Sequence, residues 1–340
     1  MAKTKILLLY GGESSEHEVS LVSAKNVYEA LDSEKYDVSL CLIDKSGKWW
    51  LADEFTVSSE GSPMLVPALG TGRLATVPFK KVIEPDVILP ILHGENGEDG
   101  TVQGLAELLH VPIVGPSMLS ALLAMDKDVT KRLLKQAGIP VVDWITIRSN
   151  DPVPEFDEVK NQLGMPVFIK PAATGSSYGV SKVTGENEYS KAVQESFKYG
   201  DKVLIEKAIK GRELEVSVLG NRKAEATAPG EVRTREEFYN YYAKYDESSG
   251  TEFDLPAKNL DQAEIEKIRT LAIQAYKAVE GRGMSRVDFF MSENGEIYVN
   301  EINTIPGFTG MSVYPKLWES EGLSYNELIE KLVMLALEDE

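Results

Sequence analysis

The sequence has few cysteines, little positive charge and no long apolar run. Its 340 residues include 36 Lys and Arg against 54 Asp and Glu, so the formal net charge is −18 at pH 7. Because nucleic acids and anionic membranes are polyanions, this charge argues against either as a partner. The only cysteine, Cys41, lies in an apolar run, so no intrachain disulfide can form. We expect this residue to be a small buried hydrophobe in a reducing compartment.

Signals for membrane insertion and for two common nucleotide-binding folds are also missing. The apolar segment 6–10 is too short to cross a membrane and leads into Gly11-Gly12, so we interpret it as a first strand and not as a signal peptide. We therefore expect a cytoplasmic protein without membrane contact. The fingerprints G-x-G-x-x-G and G-x-x-x-x-G-K-[ST] do not occur, so neither a dinucleotide fold nor a P-loop is supported.

The pattern of predicted elements changes along a chain that is too long for one compact core. Strand 6–10, a helix with Ser15 and Glu18 as a capping box, and strand 38–43 form a βαβ unit, which implies a parallel sheet. Later β runs and helices alternate as in small α+β units. We expect an α/β and α+β multidomain protein divided into residues 1–124, 125–211 and 212–340.

Further helices and strands are predicted along the chain. The helices are predicted over 101–109, over 117–136, from 261 to 281 and after Ser324, which forms a capping box with Glu327. The strands are predicted over 111–114, 203–206 and 213–219.

A hairpin near the C-terminal end carries the strongest local signal. Asn294-Gly295 between two β-rich runs predicts a two-residue type I′ turn. Counting outward places Asp288 opposite Glu301 and Arg286 opposite Asn303, with all four side chains on one face. Opposed carboxylates repel each other, and hard oxygen ligands suit Mg²⁺ held jointly by protein and phosphates. The alternative is a solvated hairpin whose carboxylates pair with lysines elsewhere.

Polar side chains follow two predicted strands at their carboxyl ends. Glu16 comes after the first strand, where open α/β sheets bind ligands. Its alternative role is to complement the dipole of the helix that follows. His93 comes after the apolar run 87–92 and begins a loop with three glycines, Glu98 and Asp99. Because charged groups among glycines suit close approach to a ligand, we interpret this loop as functional.

Two loops of unusual composition complete the candidate site. Residues 171–179 form a Gly/Ser-rich loop between β runs 166–170 and 180–183. Its backbone N–H groups can donate to phosphates, with Lys170 as a point charge, although such loops are common in hairpins. Residues 228–256 show no helical period and no lasting strand alternation but contain several tyrosines. We interpret them as a lid that orders over substrate, and the alternative is a surface loop with buried tyrosines.

Taken in order, these motifs resemble the D-alanine–D-alanine ligase family of ATP-grasp enzymes nearly from end to end. The matching motifs are Gly11-Gly12 with 15–20, His93-Gly94 with 97–100, Lys170-Pro171 with 175–177, Tyr239, Lys244-Tyr245, 286–288, 301–303 and Pro306-Gly307. The resemblance implies an N-terminal Rossmann-like domain that binds substrate, followed by a two-domain ATP-grasp module. The central subdomain of that module would carry the phosphate-covering loop, and the C-terminal subdomain would carry the lid and the metal site.

The resemblance further implies ATP-dependent ligation of two D-alanines through an acyl phosphate, for peptidoglycan precursor synthesis. The implied metal ligands are Asp288, Glu301 and Asn303, for two Mg²⁺ ions or Mn²⁺; a monovalent cation is a further candidate, and the sequence does not say whether one is required. The implied ATP contacts are Lys127, Lys170, Ser176, Ser177, Glu206, Lys207, Ile209 and Glu213. The implied D-alanine contacts are Glu16, His93, Lys244, Tyr245, Arg286, Gly307 and Ser312. Glu16, Ser176, Tyr245, Arg286 and the amide of Gly307 are the implied catalytic groups, and the implied assembly is a homodimer.

Other functions remain as alternatives. The nearest is another ATP-grasp ligase, including a D-alanine–D-lactate ligase, although Tyr245 matches the lid tyrosine of dipeptide-forming members. A regulatory protein that binds nucleotide without turnover is the alternative from another class. The complete set of Arg286, Asp288, Glu301 and Asn303 argues against it, because a binding module has little need of both metal and oxyanion groups.

Overall fold

The computed structural model describes residues 2–233 and 250–338, whose strands form three sheets. The first sheet has the order β6-β5-β4-β3-β2-β1-β7 and contains β1 (Thr4–Gly11), β2 (Tyr36–Ile43), β3 (Trp49–Ala52), β4 (Met64–Ala68), β5 (Arg73–Val77), β6 (Val82–Ile83) and β7 (Val87–Ile91). β1 pairs in parallel with both β2 and β7, so the predicted parallel βαβ unit is confirmed. From β2 to β6 the sheet continues with antiparallel pairs. Residues 111–114, predicted as a strand, contribute only one parallel bridge, between Ile88 and Ile113.

The helices pack on these sheets. They are α1 (His17–Ala30), α2 (Thr101–Leu109), α3 (Met118–Met125), α4 (Lys127–Gln136), α5 (Phe156–Leu163), α6 (Glu186–Ser196), α7 (Gln262–Ala278), α8 (Val313–Ser320) and α9 (Tyr325–Leu337), with a 3₁₀ turn over Phe197–Tyr199. None of the helices in the described part of the chain is both long and apolar enough to span a bilayer. One core joins the first sheet to the C-terminal helices, since Ile6 and Leu8 share it with Tyr314 and Leu332.

Two predictions about helix ends differ in outcome. The box formed by Ser324 and Glu327 is present at the start of α9. The box predicted for Ser15 and Glu18 is wrong, because α1 begins at His17, after Glu16. The Glu16 carboxylate accepts a hydrogen bond from Ser176 and makes no capping bond to the helix, while Glu18 lies 2.8 Å from the Lys45 amine.

The helix predicted over 117–136 is broken at Asp126 into α3 and α4. Asp126 takes an extended conformation, and its carboxylate accepts bonds of 3.1 Å from the backbone N–H groups of Asp128 and Val129. Ser, Asp and Asn side chains favour this capping position because they satisfy N–H groups that lack helical partners. The break directs Lys127, the first residue of α4, toward the loop after β9: its N–H donates to the carbonyl of Ala172 at 2.9 Å.

The second sheet is antiparallel and carries the Gly/Ser loop. Its order is β10-β9-β11-β8, with β8 (Trp144–Arg148), β9 (Val167–Pro171), β10 (Ser181–Val183) and β11 (Lys202–Lys207). The predicted antiparallel pairing of β9 with β10 around the loop is confirmed. α5 and α6 contribute buried Val159, Leu163 and Val193 to the core of this sheet.

The third sheet carries the predicted hairpin. Its main order is β15-β14-β12-β16-β17, and it contains β12 (Gly211–Leu219), β13 (Glu225–Ala226), which pairs with β12, β14 (Gly230–Arg233), β15 (Glu252–Asp254), β16 (Met284–Ser292) and β17 (Ile297–Asn303). β14 and β15 lie within 228–256, where no lasting strand was predicted, so that prediction is wrong at both ends of the segment. The proposed lid between them, residues 234–249, lies outside the described residues.

The hairpin turn is one residue longer than predicted. The N–H of Ser292 donates to the carbonyl of Glu296 at 2.8 Å, so residues 293–295 form the loop. Of Asn294 and Gly295, only the glycine has a positive φ, of 78°. A type I′ turn needs positive φ at both central positions, so the predicted turn type is wrong.

A bulge in β17 compensates for the longer turn. Phe289 pairs with Val299 while Asp288 pairs with Glu301, so Asn300 is left out of the pairing. The buried positions change phase at the same place, since Ile297, Val299 and Ile302 all face the core. The predicted pairs, Asp288 with Glu301 and Arg286 with Asn303, are therefore confirmed.

Candidate active site

A cavity of about 560 Å³ lies where the second and third sheets meet. The Gly/Ser loop, the end of β11, the start of α4 and the polar face of the hairpin all border it. Of the eighteen predicted site residues, eleven line this cavity. Those that line it are Lys127, Lys170, Ser176, Ser177, Glu206, Lys207, Ile209, Glu213, Asp288, Glu301 and Asn303.

The hairpin holds Asp288 in a network of charged and amide groups. Arg286 donates to both oxygens of Asp288, from Nε and Nη2, each at 2.7 Å. Asn303 Nδ2 donates to Asp288 Oδ2 at 2.9 Å, which confirms that these side chains share one face. Buried Glu215 on β12 also lies 3.1 Å from Arg286 Nε. The arginine is therefore fixed between two carboxylates, so its guanidinium is oriented before any ligand arrives.

The donor set on the hairpin fits a hard divalent cation. Two opposed carboxylates and one amide oxygen are ligand types that Mg²⁺ and Mn²⁺ prefer. Among residues 2–233 and 250–338 there is no group of three or more His, Cys, Asp and Glu side chains in a metal-binding arrangement. A cation at Asp288, Glu301 and Asn303 would thus need further oxygen ligands, and Mg²⁺ commonly takes these from phosphates and water.

Two lysines, one on α4 and one on β9, line the cavity. Lys127 Nζ lies 3.7 Å from Glu301 Oε2 and donates to the carbonyl of Thr174 at 3.0 Å. Lys170 Nζ lies 2.9 Å from Glu206 Oε1 and 3.4 Å from Asn300 Oδ1. The cavity therefore has ammonium groups near both the hairpin carboxylates and the end of β11, as an anionic ligand requires.

The Gly/Ser loop connects the cavity with the first sheet. Ser176 and Ser177 have positive φ values of 49° and 59°. In this conformation the Ser176 hydroxyl donates a hydrogen bond to Oε1 of Glu16. Glu16 is itself buried and lies at the N-cap of α1, so its bond to Ser176 is compatible with both predicted roles, ligand binding and complementing the helix dipole.

His93 lies on the same side of the molecule as Glu16. It is 3% exposed, with Nδ1 3.6 Å from Glu98 Oε1 and Nε2 3.2 Å from Ser23 Oγ. Burial would lower the pKa of His93, but the close contact with Glu98 and its charge, together with the charge of Glu16, hold that pKa above its usual value. The imidazole is therefore oriented and electrostatically coupled to two carboxylates.

The turn after β17 places Gly307 beside Ser312. A Cβ added at Gly307 would stand 2.6 Å from Ser312 Oγ, so only glycine fits without displacing that hydroxyl. The N–H of Thr309 donates to Ser312 Oγ at 2.9 Å. Both residues therefore belong to one constrained turn. Lys244 and Tyr245, also expected at the site, lie outside the described residues.

Sequence patterns did not indicate three charged residues that support the site. Glu215 contacts Arg286, Lys131 Nζ lies 2.7 Å from Glu206 Oε2, and Lys202 Nζ contacts Asp126 at the break between α3 and α4. For Lys131 the available signal was its helical spacing of four residues from Lys127, which puts both on one face of α4. The other two contacts join strands and helices distant in sequence.

Comparison with known proteins gives consistent matches over the whole chain. The family model described as "D-ala D-ala ligase N-terminus" matches residues 5–116, and the model described as "D-ala D-ala ligase C-terminus" matches residues 133–334. The chain is 45% identical over 351 aligned positions to a D-alanine--D-alanine ligase of Oceanobacillus iheyensis, covering 99% of this chain and 96% of the relative. It is 43% identical to D-alanine--D-alanine ligase A of Escherichia coli K12, covering 99% and 97%.

Solved structures agree with these matches. The D-alanine-D-alanine ligase of Coxiella burnetii superposes with a TM-score of 0.88 at 37% identity, covering 99% of this chain and 94% of the other. The VanG D-Ala:D-Ser ligase of Enterococcus faecalis superposes with a TM-score of 0.90 at 34% identity, covering 98% and 100%. The chain is therefore similar both to a solved structure named as a D-alanine-D-alanine ligase and to one named as a D-Ala:D-Ser ligase.

Proposed function

Because the chain belongs to the D-alanine–D-alanine ligase family, we propose that it joins two D-alanines into D-alanyl-D-alanine while ATP is converted to ADP and phosphate. The product serves peptidoglycan precursor synthesis. The observation that carries this proposal is the cavity itself, which brings the face of the hairpin that carries Asp288 and Glu301 together with a Gly/Ser loop bonded to Glu16. ATP phosphates and an amino acid would meet in such a space.

The first step activates a carboxylate, which is a poor electrophile. Glu16 would hold the ammonium group of the first D-alanine, with His93 beside it, so that the amino acid's carboxylate faces the cavity. Transfer of the γ-phosphoryl group to that carboxylate gives an acyl phosphate and ADP. Lys127 and Lys170 would hold the phosphates, with Ser176 and Ser177 of the loop above them. Two Mg²⁺ ions at Asp288, Glu301 and Asn303 would supply neutralisation of phosphate charge when bound.

The second step forms the peptide bond. The amine of the second D-alanine attacks the acyl carbon, and phosphate leaves. Arg286 and the N–H of Gly307 would donate to the oxyanion, and the arginine is already oriented by Glu215 and Asp288. Ser312 would bind the second carboxylate, as would Lys244 of the proposed lid. Tyr245 and the lid would exclude water, which otherwise hydrolyses an acyl phosphate.

The nucleotide's base and ribose would occupy the opposite end of the cavity. Glu206, Lys207 and Ile209 border that end, and Glu213 would contact the ribose. The division into an N-terminal Rossmann-like domain (1–124) and ATP-grasp subdomains (125–211 and 212–340) is part of this proposal. So are the homodimer and the cytoplasmic location.

One assay tests the proposed function. The purified protein is incubated with ATP, Mg²⁺ and either D-alanine or L-alanine, and phosphate release is followed. We expect release to require Mg²⁺ and to rise sharply with D-alanine only. Equal rates with either enantiomer would reject the proposal.

Product analysis then identifies the second substrate. D-alanine is mixed with equimolar D-lactate and D-serine, and the products are identified by mass spectrometry. We expect D-alanyl-D-alanine as the main product. A depsipeptide or D-alanyl-D-serine in excess would instead assign the chain to a ligase of different second-substrate choice.

A further inference from the structure

The amine of Lys131 is buried against a carboxylate that borders the cavity. Lys131 is 1% exposed, and its Nζ lies 2.7 Å from Glu206 Oε2. The other carboxylate oxygen of Glu206 lies 2.9 Å from Lys170 Nζ. Glu206 is therefore held between two ammonium groups, one inside the wall and one in the cavity.

Lys131 is fixed from several sides. Its Nζ donates to the carbonyl of Val142 at 3.2 Å and lies 5.6 Å from the centre of the Trp144 ring. Burial lowers the pKa of Lys131, and the charge of Glu206 opposes that change. A buried amine costs desolvation free energy, so its place here depends on the carboxylate it faces.

The two lysines that contact Glu206 determine whether its carboxyl group donates or accepts hydrogen bonds. Burial would raise the pKa of this carboxyl, but Lys131 and then Lys170 hold it below its usual value. An ionised carboxylate only accepts hydrogen bonds. It therefore suits a purine with an amino group at position 6 and repels one with an oxygen there.

We propose that Lys131 is a positioning residue for base selection: through its contact with Oε2 it holds the Glu206 carboxylate in place as a hydrogen-bond acceptor, and so favours 6-aminopurine over 6-oxopurine nucleotides. The proposal rests on the proposed function, which brings the adenine of ATP to Glu206. Lys131 touches no reacting atom in that scheme, so its loss should affect the choice of nucleotide much more than the chemical steps.

The test compares ATP with inosine triphosphate (ITP) in wild type and Lys131→Met. For each protein the ratio of kcat/KM for ATP to that for ITP is measured, since this ratio does not depend on the fraction of active enzyme. Loss of a hydrogen bond to an ionised group predicts a fall of about tenfold or more in the ratio. The KM for D-alanine should stay within about twofold.

Lys135→Met is the matched control. Lys135 is exposed, lies on the same helix and places its amine 5.6 Å from the same Trp144 ring. It should keep the wild-type ratio. An unchanged ratio in Lys131→Met, or an equal fall in Lys135→Met, would overturn the proposal.

If Lys131→Met does not fold, a second pair of variants tests the same proposal. Replacing both partners avoids leaving a buried carboxylate without its amine, so Glu206→Gln is compared with Glu206→Gln/Lys131→Met. If Lys131 acts through the charge of Glu206, adding Lys131→Met should change the ATP/ITP ratio by less than about twofold. A larger change would show that Lys131 acts by another route.

The proposed function can fail separately. Wild type without D-alanine-dependent phosphate release would reject the ligase assignment alone. In that case the dissociation constants of ATP and ITP are measured by calorimetry, which needs no turnover. If wild type binds ATP more tightly than ITP and Lys131→Met does not, the inference is still supported.

Discussion

Ser176 donates a hydrogen bond to Glu16, a residue 160 positions away in the sequence. The contact joins the loop between β9 and β10 to the segment between β1 and α1. Both side chains are buried, so the bond forms away from bulk water, where an unpaired carboxylate is costly. In the proposed reaction it would couple the loop over the phosphates to the residue that binds the first amino acid.

Replacing the Ser176 hydroxyl should weaken this coupling. In Ser176→Ala we expect a higher KM for D-alanine and a kcat reduced by about tenfold, because buried Glu16 loses the hydrogen bond from Ser176. Steady-state phosphate release against D-alanine concentration measures both values. Ser149→Ala, at an exposed serine, serves as the control. Wild-type kinetics in Ser176→Ala would contradict the expectation.

The hairpin carboxylates should be required for turnover but not for folding. Asp288→Asn and Glu301→Gln keep the shapes of the side chains and remove charges that would face Mg²⁺, so we expect no measurable product over a wide range of Mg²⁺ concentration. Thermal unfolding checks that each variant folds. Glu293→Gln alters an exposed carboxylate of the same hairpin and should behave as wild type. Full activity in both site variants would exclude the proposed metal site.

We expect catalysis to depend on the planar shape of the Arg286 guanidinium as well as on its charge. Arg286→Lys keeps one positive charge but cannot bond both oxygens of Asp288 and also reach Glu215. We expect kcat to fall by about 10² to 10³, the usual loss when one oxyanion donor is removed. Arg73→Lys, which alters an exposed pair with Glu84, is the control. A kcat within the error of wild type would argue against an oxyanion role.

Asp44 should make stability depend on acidic pH. Burial raises the pKa of Asp44, but hydrogen bonds from Ser46, Trp50 and Lys48 outweigh it and lower the pKa to about 2. Because the unfolded pKa is about 3.9, this contribution is complete above about pH 4 and is lost as the pH falls toward 2. Asp44→Asn should therefore be less stable than wild type at pH 7, with the difference closing below pH 4.

Urea unfolding at a series of pH values measures the difference. Asp53→Asn, at an exposed aspartate, should show no such convergence. A difference between wild type and Asp44→Asn that is the same at every pH would mean that shape, and not the charge of Asp44, sets the effect.

The hairpin shows what local sequence determines. Counting outward from Asn294-Gly295 placed Asp288 opposite Glu301, and this pair is correct although the turn is one residue longer than predicted, because the bulge at Asn300 cancels the error. Alternation reports burial of each face, and burial is what holds the register. Turn type depends on one or two φ angles, which the dipeptide Asn294-Gly295 does not fix alone.

Contacts between distant segments could not be predicted in the same way. The pairs Lys131 with Glu206 and Lys202 with Asp126 depend on how α4 packs on the second sheet. Ser15 and Glu18 satisfy a local capping pattern, yet α1 begins at His17, and the Glu16 carboxylate accepts a bond from Ser176 without capping the helix. Local propensity is overruled where a buried polar group needs a partner.

The bulge at Asn300 also lies between the proposed metal ligands and the tip of the hairpin, so a change in length at the tip need not shift the ligands. A residue gained or lost in the loop over 293–295 can be absorbed by losing or moving the bulge, before the change reaches Glu301. Related chains should therefore vary in hairpin length and bulge together while the two carboxylates stay opposed. The length of the hairpin tip can therefore change while Asp288 and Glu301 keep their positions opposite each other.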